Sequence, residues 1–130
     1  MVPSEFKDIL IKINIDKSDE SLKMAEISIR ENALMVAFNR IYYAIFYTVT
    51  ALAEKHEFKT SKHTTMQGWF NQKFVHQDKL FTREISEIYS EAFKYRQKGD
   101  YDALYQPDLQ KAEELLKQAR VFLDVVRNEI

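Results

Sequence analysis

Between residues 32 and 56 the chain carries apolar side chains at two helical spacings at once. Met35, Phe38, Tyr42, Ile45, Val49 and Leu52 recur three and four residues apart, and Leu34, Ala37, Ile41 and Ala44 form a stripe of smaller residues beside them. A helix apolar over that much of its circumference must be packed on more than one side, so it sits at the centre of its fold. Its third side carries Asn39, Tyr43, Phe46 and Tyr47, an unusual mix of polar and aromatic groups. That aromatic-rich face is the reason to expect a homodimer.

The rest of the chain reads as partners for this helix. Phe6, Ile9, Leu10 and Ile13 share one face of a helix over 4–13. Asp16 or Ser18 then offers an N-cap for a segment to about residue 30, with Leu22, Ala25 and Ile29 inward, and the two pieces can form one bent helix. In "TTMQ", Thr64 and Gln67 have capping-box spacing, predicting a short helix over 64–76 anchored by Met66, Trp69, Phe70 and Phe74. Asp78 can open a helix over 79–98, striped with Phe81, Ile85, Ile88, Ala92 and Tyr95, and Gly99 is expected to end it in the left-handed conformation. Pro107 suits the first turn of a last helix in which Leu109, Ala112, Leu116, Ala119, Leu123 and Val126 recur. No strand pattern, repeat or linker interrupts this reading, and only two Gly and two Pro occur in 130 residues. The expectation is one all-α domain over 1–130, an antiparallel up-and-down bundle of four main helices plus one short helix.

Composition removes several classes of function. The longest near-apolar run, 41–53, is shorter than the roughly 20 residues a membrane span needs, so no membrane role is expected. The N-terminal stretch is interrupted by charges and lacks the apolar centre of a signal peptide. With no Cys, neither disulfides nor thiolate metal sites are available, as suits a reducing cytoplasm. A net charge of −1 gives no general attraction for nucleic acid, although 54–63 and 94–98 lean basic and could form a local patch.

The chain carries few chemical motifs. No Gly-rich phosphate loop is present, and His56, His63 and His76 lack metal-ligand spacing, so neither metal nor cofactor is expected. Asp100 and Asp102 form a D-x-D, but without the strand and Gly-Ser helix entrance that a nucleotidyltransferase would place before it. The stretch "YRQKGDYDALY", 95–105, carries more meaning. Arg96 lies at the edge of its helix's apolar stripe and needs a polar partner, because an unpaired charge near a core is costly. Asp100, four residues on, can supply it, and Arg96 also favours the negative end of the helix. On the central helix, Asn39 and Tyr43 lie one turn apart and can point into one cleft.

These residues fall into two motifs. "FNRIYYAIF" on the central helix, His63 in the following loop and "RQKGDYD" at 96–102 resemble the HEPN domains (higher eukaryotes and prokaryotes nucleotide-binding), in particular their short stand-alone bacterial and archaeal branch. Asn39, Arg40, Tyr42, Tyr43, Ala44 and Phe46 match the first motif. Arg96, Gln97, Lys98, Asp100, Tyr101 and Asp102 match the second, with Gly99 replacing the usual Ala. The likeness covers about 16–126 and implies a helical bundle, usually a homodimer, with a polar cleft near the dimer interface. Many such domains are metal-independent RNases of toxin–antitoxin systems, often paired with a small nucleotidyltransferase.

In those RNases an Arg is followed, after four to six residues, by a His that moves protons while the Arg stabilises phosphorane charge. This chain has Tyr101, Asp102 and Ala103 at the three positions where that His could stand. A phenol, with an ordinary pKa of about 10, is a poor proton shuttle at neutral pH. The Tyr that antitoxin enzymes adenylylate would fall at Ala103, and the nearby Tyr105 is not in register. The reading is therefore an accessory HEPN protein whose cleft of Asn39, Tyr43, Arg96, Asp100 and Tyr101 binds a nucleotide, RNA or a partner nucleotidyltransferase. The alternatives are an endoribonuclease using Arg96 with Asp100 or Tyr101 as substitute base, and a purely structural module stabilised by the Arg96–Asp100 pair. On any of these readings Tyr42 and Phe46 are expected to pack in the core and interface, and His63 to fix its loop onto the bundle.

Overall fold

The computed structural model of the chain describes residues 3–130. Helices α1 (Ser4–Arg30) and α2 (Leu34–Lys55) are followed by the short α3 (His63–Phe70), which runs on into a π-helical segment, Asn71–Gln77. Helices α4 (Arg83–Tyr101) and α5 (Leu109–Arg127) complete the chain, and the described residues contain no strand. Cross-helix pairs give the directions. Asn39 near the start of α2 reaches Asp100 near the end of α4. Arg127 and Arg120 of α5 pair with Asp19 and Glu26 of α1. The four long helices therefore run up, down, up, down as expected, and α2 touches the other three. Among the described residues no helix is long and apolar enough to cross a membrane.

The α2 stripe forms the core. Phe38, Tyr42, Ile45, Val49 and Leu52 are buried against Phe70, Tyr89, Leu115 and Phe122 from α3, α4 and α5. Each side chain of this size contributes about 1.5–3 kcal/mol by leaving water. Met35, the first residue of the predicted stripe, is instead 51% exposed, lying beside Gly99 of α4, which has no side chain to cover it.

Helix α1 departs most from its pattern. It is one continuous helix, with Asp16 inside it and paired to Lys12 rather than capping. Phe6, Ile9 and Ile13 are 52%, 55% and 42% exposed, and the buried face is Asn14, Ser18, Ser21, Ala25 and Ser28. Small side chains let α1 lie close along α2, the most extensive helix pairing in the fold. Ser28 donates within α1 to the carbonyl of Met24, and Ser18 donates across to that of Ala44 on α2.

Several helix ends also differ from expectation. Gly99 lies inside α4, which continues to Tyr101, and its φ is not positive. The Arg96–Asp100 pair and the Asn39–Asp100 hydrogen bond hold that last turn onto α2. Asp108, extended and accepting from the Gln110 amide, caps α5, so Pro107 lies just outside it. Helix α3 starts at His63, and Gln67 reaches across to Ser90 of α4 instead of back to a capping Thr64. Asp78 closes the π segment, since Lys79 enters the left-handed region and Leu80 and Phe81 both donate to the Phe74 carbonyl. Helix α4 can begin only beyond that reversal, after Thr82.

Candidate functional site

Arg96 is the centre of a polar and aromatic cluster where α2, the start of α3 and the end of α4 meet, the cleft expected from the sequence. Its Nε donates to Asp100 Oδ2 at 3.0 Å, one turn further along α4. The same carboxylate oxygen accepts from Asn39 Nδ2 at 3.3 Å. Asn39 Oδ1 in turn accepts from Arg40 Nε and Nη2, at 3.1 and 2.8 Å. The result is a chain from Arg40 through Asn39 and Asp100 to Arg96, with one arginine at each end.

Aromatic faces hold both cations. The Arg96 guanidinium lies 5.3, 5.6 and 5.9 Å from the ring centres of Tyr42, Tyr43 and Tyr101. Arg40 lies 5.0 Å from Tyr43. Such contacts are worth about 0.5–1 kcal/mol each at exposed sites and more when desolvated. Arg96 keeps only 15% of its side chain exposed, yet neither of its terminal nitrogens has an acceptor among the described residues. A rigid, partly desolvated guanidinium with two free donor groups suits the oxygens of a phosphate or carboxylate.

The five residues read as a ligand site, Asn39, Tyr43, Arg96, Asp100 and Tyr101, all meet around this guanidinium, Tyr101 from the open side at 74% exposure. Tyr105 does not join them; it packs on Phe38 and Tyr95. Among the described residues no three His, Cys, Asp or Glu side chains converge as metal ligands.

Two members of the cleft are not marked as ligand residues by spacing or charge pattern. Arg40 registered only as part of a motif, although its place beside Asn39 puts it on the polar side of α2. His63 read as a loop clamp. Its Nδ1 lies 2.9 Å from the Tyr42 hydroxyl, and its ring stacks on Phe46 at 4.2 Å. It shares the Tyr42 and Tyr43 rings with Arg96, at 5.7 and 5.8 Å from their centres. Partial burial, and secondarily the Arg96 charge, hold its pKa below the ordinary 6.5. Burial raises the Tyr42 pKa, against an opposing pull from Arg96, so its hydroxyl keeps its proton.

The description of the HEPN domain matches residues 11–129, nearly the whole chain. The chain belongs to the HEPN domain family. A "UPF0332 protein" from Thermotoga maritima is 32% identical over 124 residues, covering 95% of this chain and 93% of that relative. "Putative toxin MJ0142" from Methanocaldococcus jannaschii is 34% identical over 110 residues, covering 85% of this chain and 74% of that one. Within this HEPN domain the α4 motif itself contains no His, and the imidazole that shares the Tyr42 and Tyr43 rings with Arg96 comes from α3.

Proposed function

We propose that the cleft binds a phosphate-bearing ligand, a nucleotide or an RNA, and that the protein is an accessory HEPN protein of a toxin–antitoxin-like system in the cytoplasm. The observation that carries this reading is Arg96 itself. It is fixed through Nε by Asp100 and by three tyrosine faces, with its two terminal nitrogens free to donate. Arg40 adds a second cation on the other side of Tyr43, and the exposed Tyr101 ring offers a base a face to stack on. Family membership and a relative with toxin in its name support the setting. A partner nucleotidyltransferase presenting an acidic group would use the same donors. Half-buried Tyr43, Phe46 and Tyr47 beside the cleft fit a homodimer, for which light scattering would give twice the chain mass. Binding of a short RNA and of a nucleotide, wild type against Arg96→Ala, is the test, and equal affinity in the two proteins would remove the reading.

One observation favours a second reading, the metal-independent endoribonuclease. His63 stands beside Arg96 in space, so an imidazole is at hand for proton transfer where Asp100 and Tyr101 are poorer candidates. Total RNA and tRNA incubated with EDTA would be cut by wild type and spared by both Arg96→Ala and His63→Asn. Intact RNA with wild type would leave the binding reading.

A further inference from the structure

Resting on the reading of the cleft as a phosphate site, we infer that His63 is its proton-linked ligand, taking up a proton when a phosphate binds and contacting it through Nε2. The ring is built into the cleft rather than hung beside it. Phe46 stacks on one face at 4.2 Å, and the Tyr42 hydroxyl meets Nδ1 at 2.9 Å. That leaves Nε2 as the ring's open nitrogen. It has no partner among the described residues and is not buried unpaired, so it meets solvent.

Tyr42 suits both charge states. Its hydroxyl donates to Nδ1 when the ring is neutral, and its oxygen accepts from Nδ1–H when the ring is an imidazolium. The added proton comes from solvent and leaves Nε2–H free to donate to a phosphate oxygen. The other ionisable group of α2 against the ring is Tyr43, and from α4 it is Arg96; Lys62 precedes it on its own chain segment. Arg40 lies behind Tyr43 and Asp100 behind Arg96.

In the free site burial and the Arg96 charge keep the ring neutral. A phosphate seated on Arg96 offsets that positive charge and brings a negative one, so the imidazolium becomes the favoured form. Binding and protonation are then linked, and affinity rises as pH falls, by at most about tenfold per pH unit for one proton. Among the described residues no carboxylate hydrogen-bonds to or pairs with the ring, and the Asp100 charge is already engaged by Arg96, so the ligand brings the negative charge that favours the imidazolium.

The experiment measures binding of a 2′-O-methyl oligouridylate without terminal phosphates, at constant ionic strength, from about pH 8 to about pH 5.5. Its phosphodiesters do not titrate in that range and it resists cleavage. For wild type the affinity should rise severalfold per pH unit on acidification, with proton uptake seen when calorimetry is run in two buffers. His63→Asn should bind more weakly at acid pH, with a flat profile. An NMR titration of the wild-type His63 ring gives the second readout, independent of how the variant folds: its midpoint should move to higher pH on adding the oligomer. Equal pH profiles for wild type and His63→Asn, or an unmoved midpoint with the oligomer bound, overturn the inference and leave the phosphate site standing. If wild type binds at no pH, or Arg96→Ala binds as well as wild type, the site reading falls and the inference with it.

Discussion

Arg96 and Asp100 stand one helical turn apart on α4, with Nε and Oδ2 3.0 Å from each other, and Asn39 of α2 closes on the same oxygen at 3.3 Å. The pair satisfies Arg96 through one nitrogen of three. A contact serving stability alone would be stronger if the fork engaged both carboxylate oxygens. Here the charge is positioned, and most of its donor capacity faces outward.

Arg96→Ala should therefore cost moderate stability and much binding. An i,i+4 ion pair contributes about 0.3–0.5 kcal/mol and each of the three tyrosine contacts about 0.5–1 kcal/mol, so a loss of about 2–3.5 kcal/mol is expected. Thermal melts and oligonucleotide binding on the same samples separate the readings. A loss well above that range with binding unchanged would make Arg96 a structural residue.

Gly99→Ala should stabilise the protein. Gly99 lies within α4 with helical backbone, and a Cβ added there would meet Met35 of α2 at 3.9 Å, an ordinary contact. Glycine inside a helix costs about 0.5–1 kcal/mol relative to alanine. A rise in urea midpoint at constant m-value is the expected outcome. A fall would mean that Gly99 acts as the left-handed terminator its sequence position suggests.

Much of this fold is legible in the chain because α2, α4 and α5 bury apolar stripes that recur at helical spacing. Phe38, Tyr42, Ile45, Val49 and Leu52 lie where their spacing puts them. Helix α1 is illegible in that way, since it buries Ser18, Ser21 and Ser28 and exposes Phe6 and Ile9. Polarity cannot signal a face chosen for small size. In the cleft, Arg96 with Asp100 and Asn39 with Tyr43 can be paired by helical spacing alone. That Asn39 meets Asp100, 61 residues away, requires the antiparallel packing of α2 on α4. Spacing does not mark His63 as a member of the site, because the side chains around it, Tyr42, Tyr43, Phe46 and Arg96, belong to α2 and α4.

Ser18→Ala tests the α1 seam. Ser18 Oγ donates to the Ala44 carbonyl at 2.7 Å, lies 2.9 Å from Thr48 Oγ1 and accepts from Arg127 Nη2 at 2.8 Å. Ser18 and Thr48 are both fully buried. Removing the hydroxyl strands these partners, and a loss of about 1–3 kcal/mol is expected by chemical denaturation. Ser18→Val should cost more, because the branched side chain also pushes α1 away from α2. A neutral effect for both would show that the close approach of the two helices needs no hydroxyl.

Acid should weaken the fold before its carboxylates titrate. Burial, then nearby lysines for His56 and Arg96 for His63, hold both histidines below 6.5 in the folded protein. In the unfolded chain each returns to the ordinary value, so the unfolded state binds more protons in the window between the lowered pKa and 6.5. Stability is then highest above that ordinary pKa and falls as pH drops through it towards the lowered values. Tm measured from about pH 7.5 to about pH 5.5 should decline, and replacing both histidines by Gln should flatten the decline. A decline as steep in the double variant would assign it to groups other than His56 and His63. A bound phosphate should oppose the His63 part of this loss, because the liganded ring gains the proton that the free folded site resists.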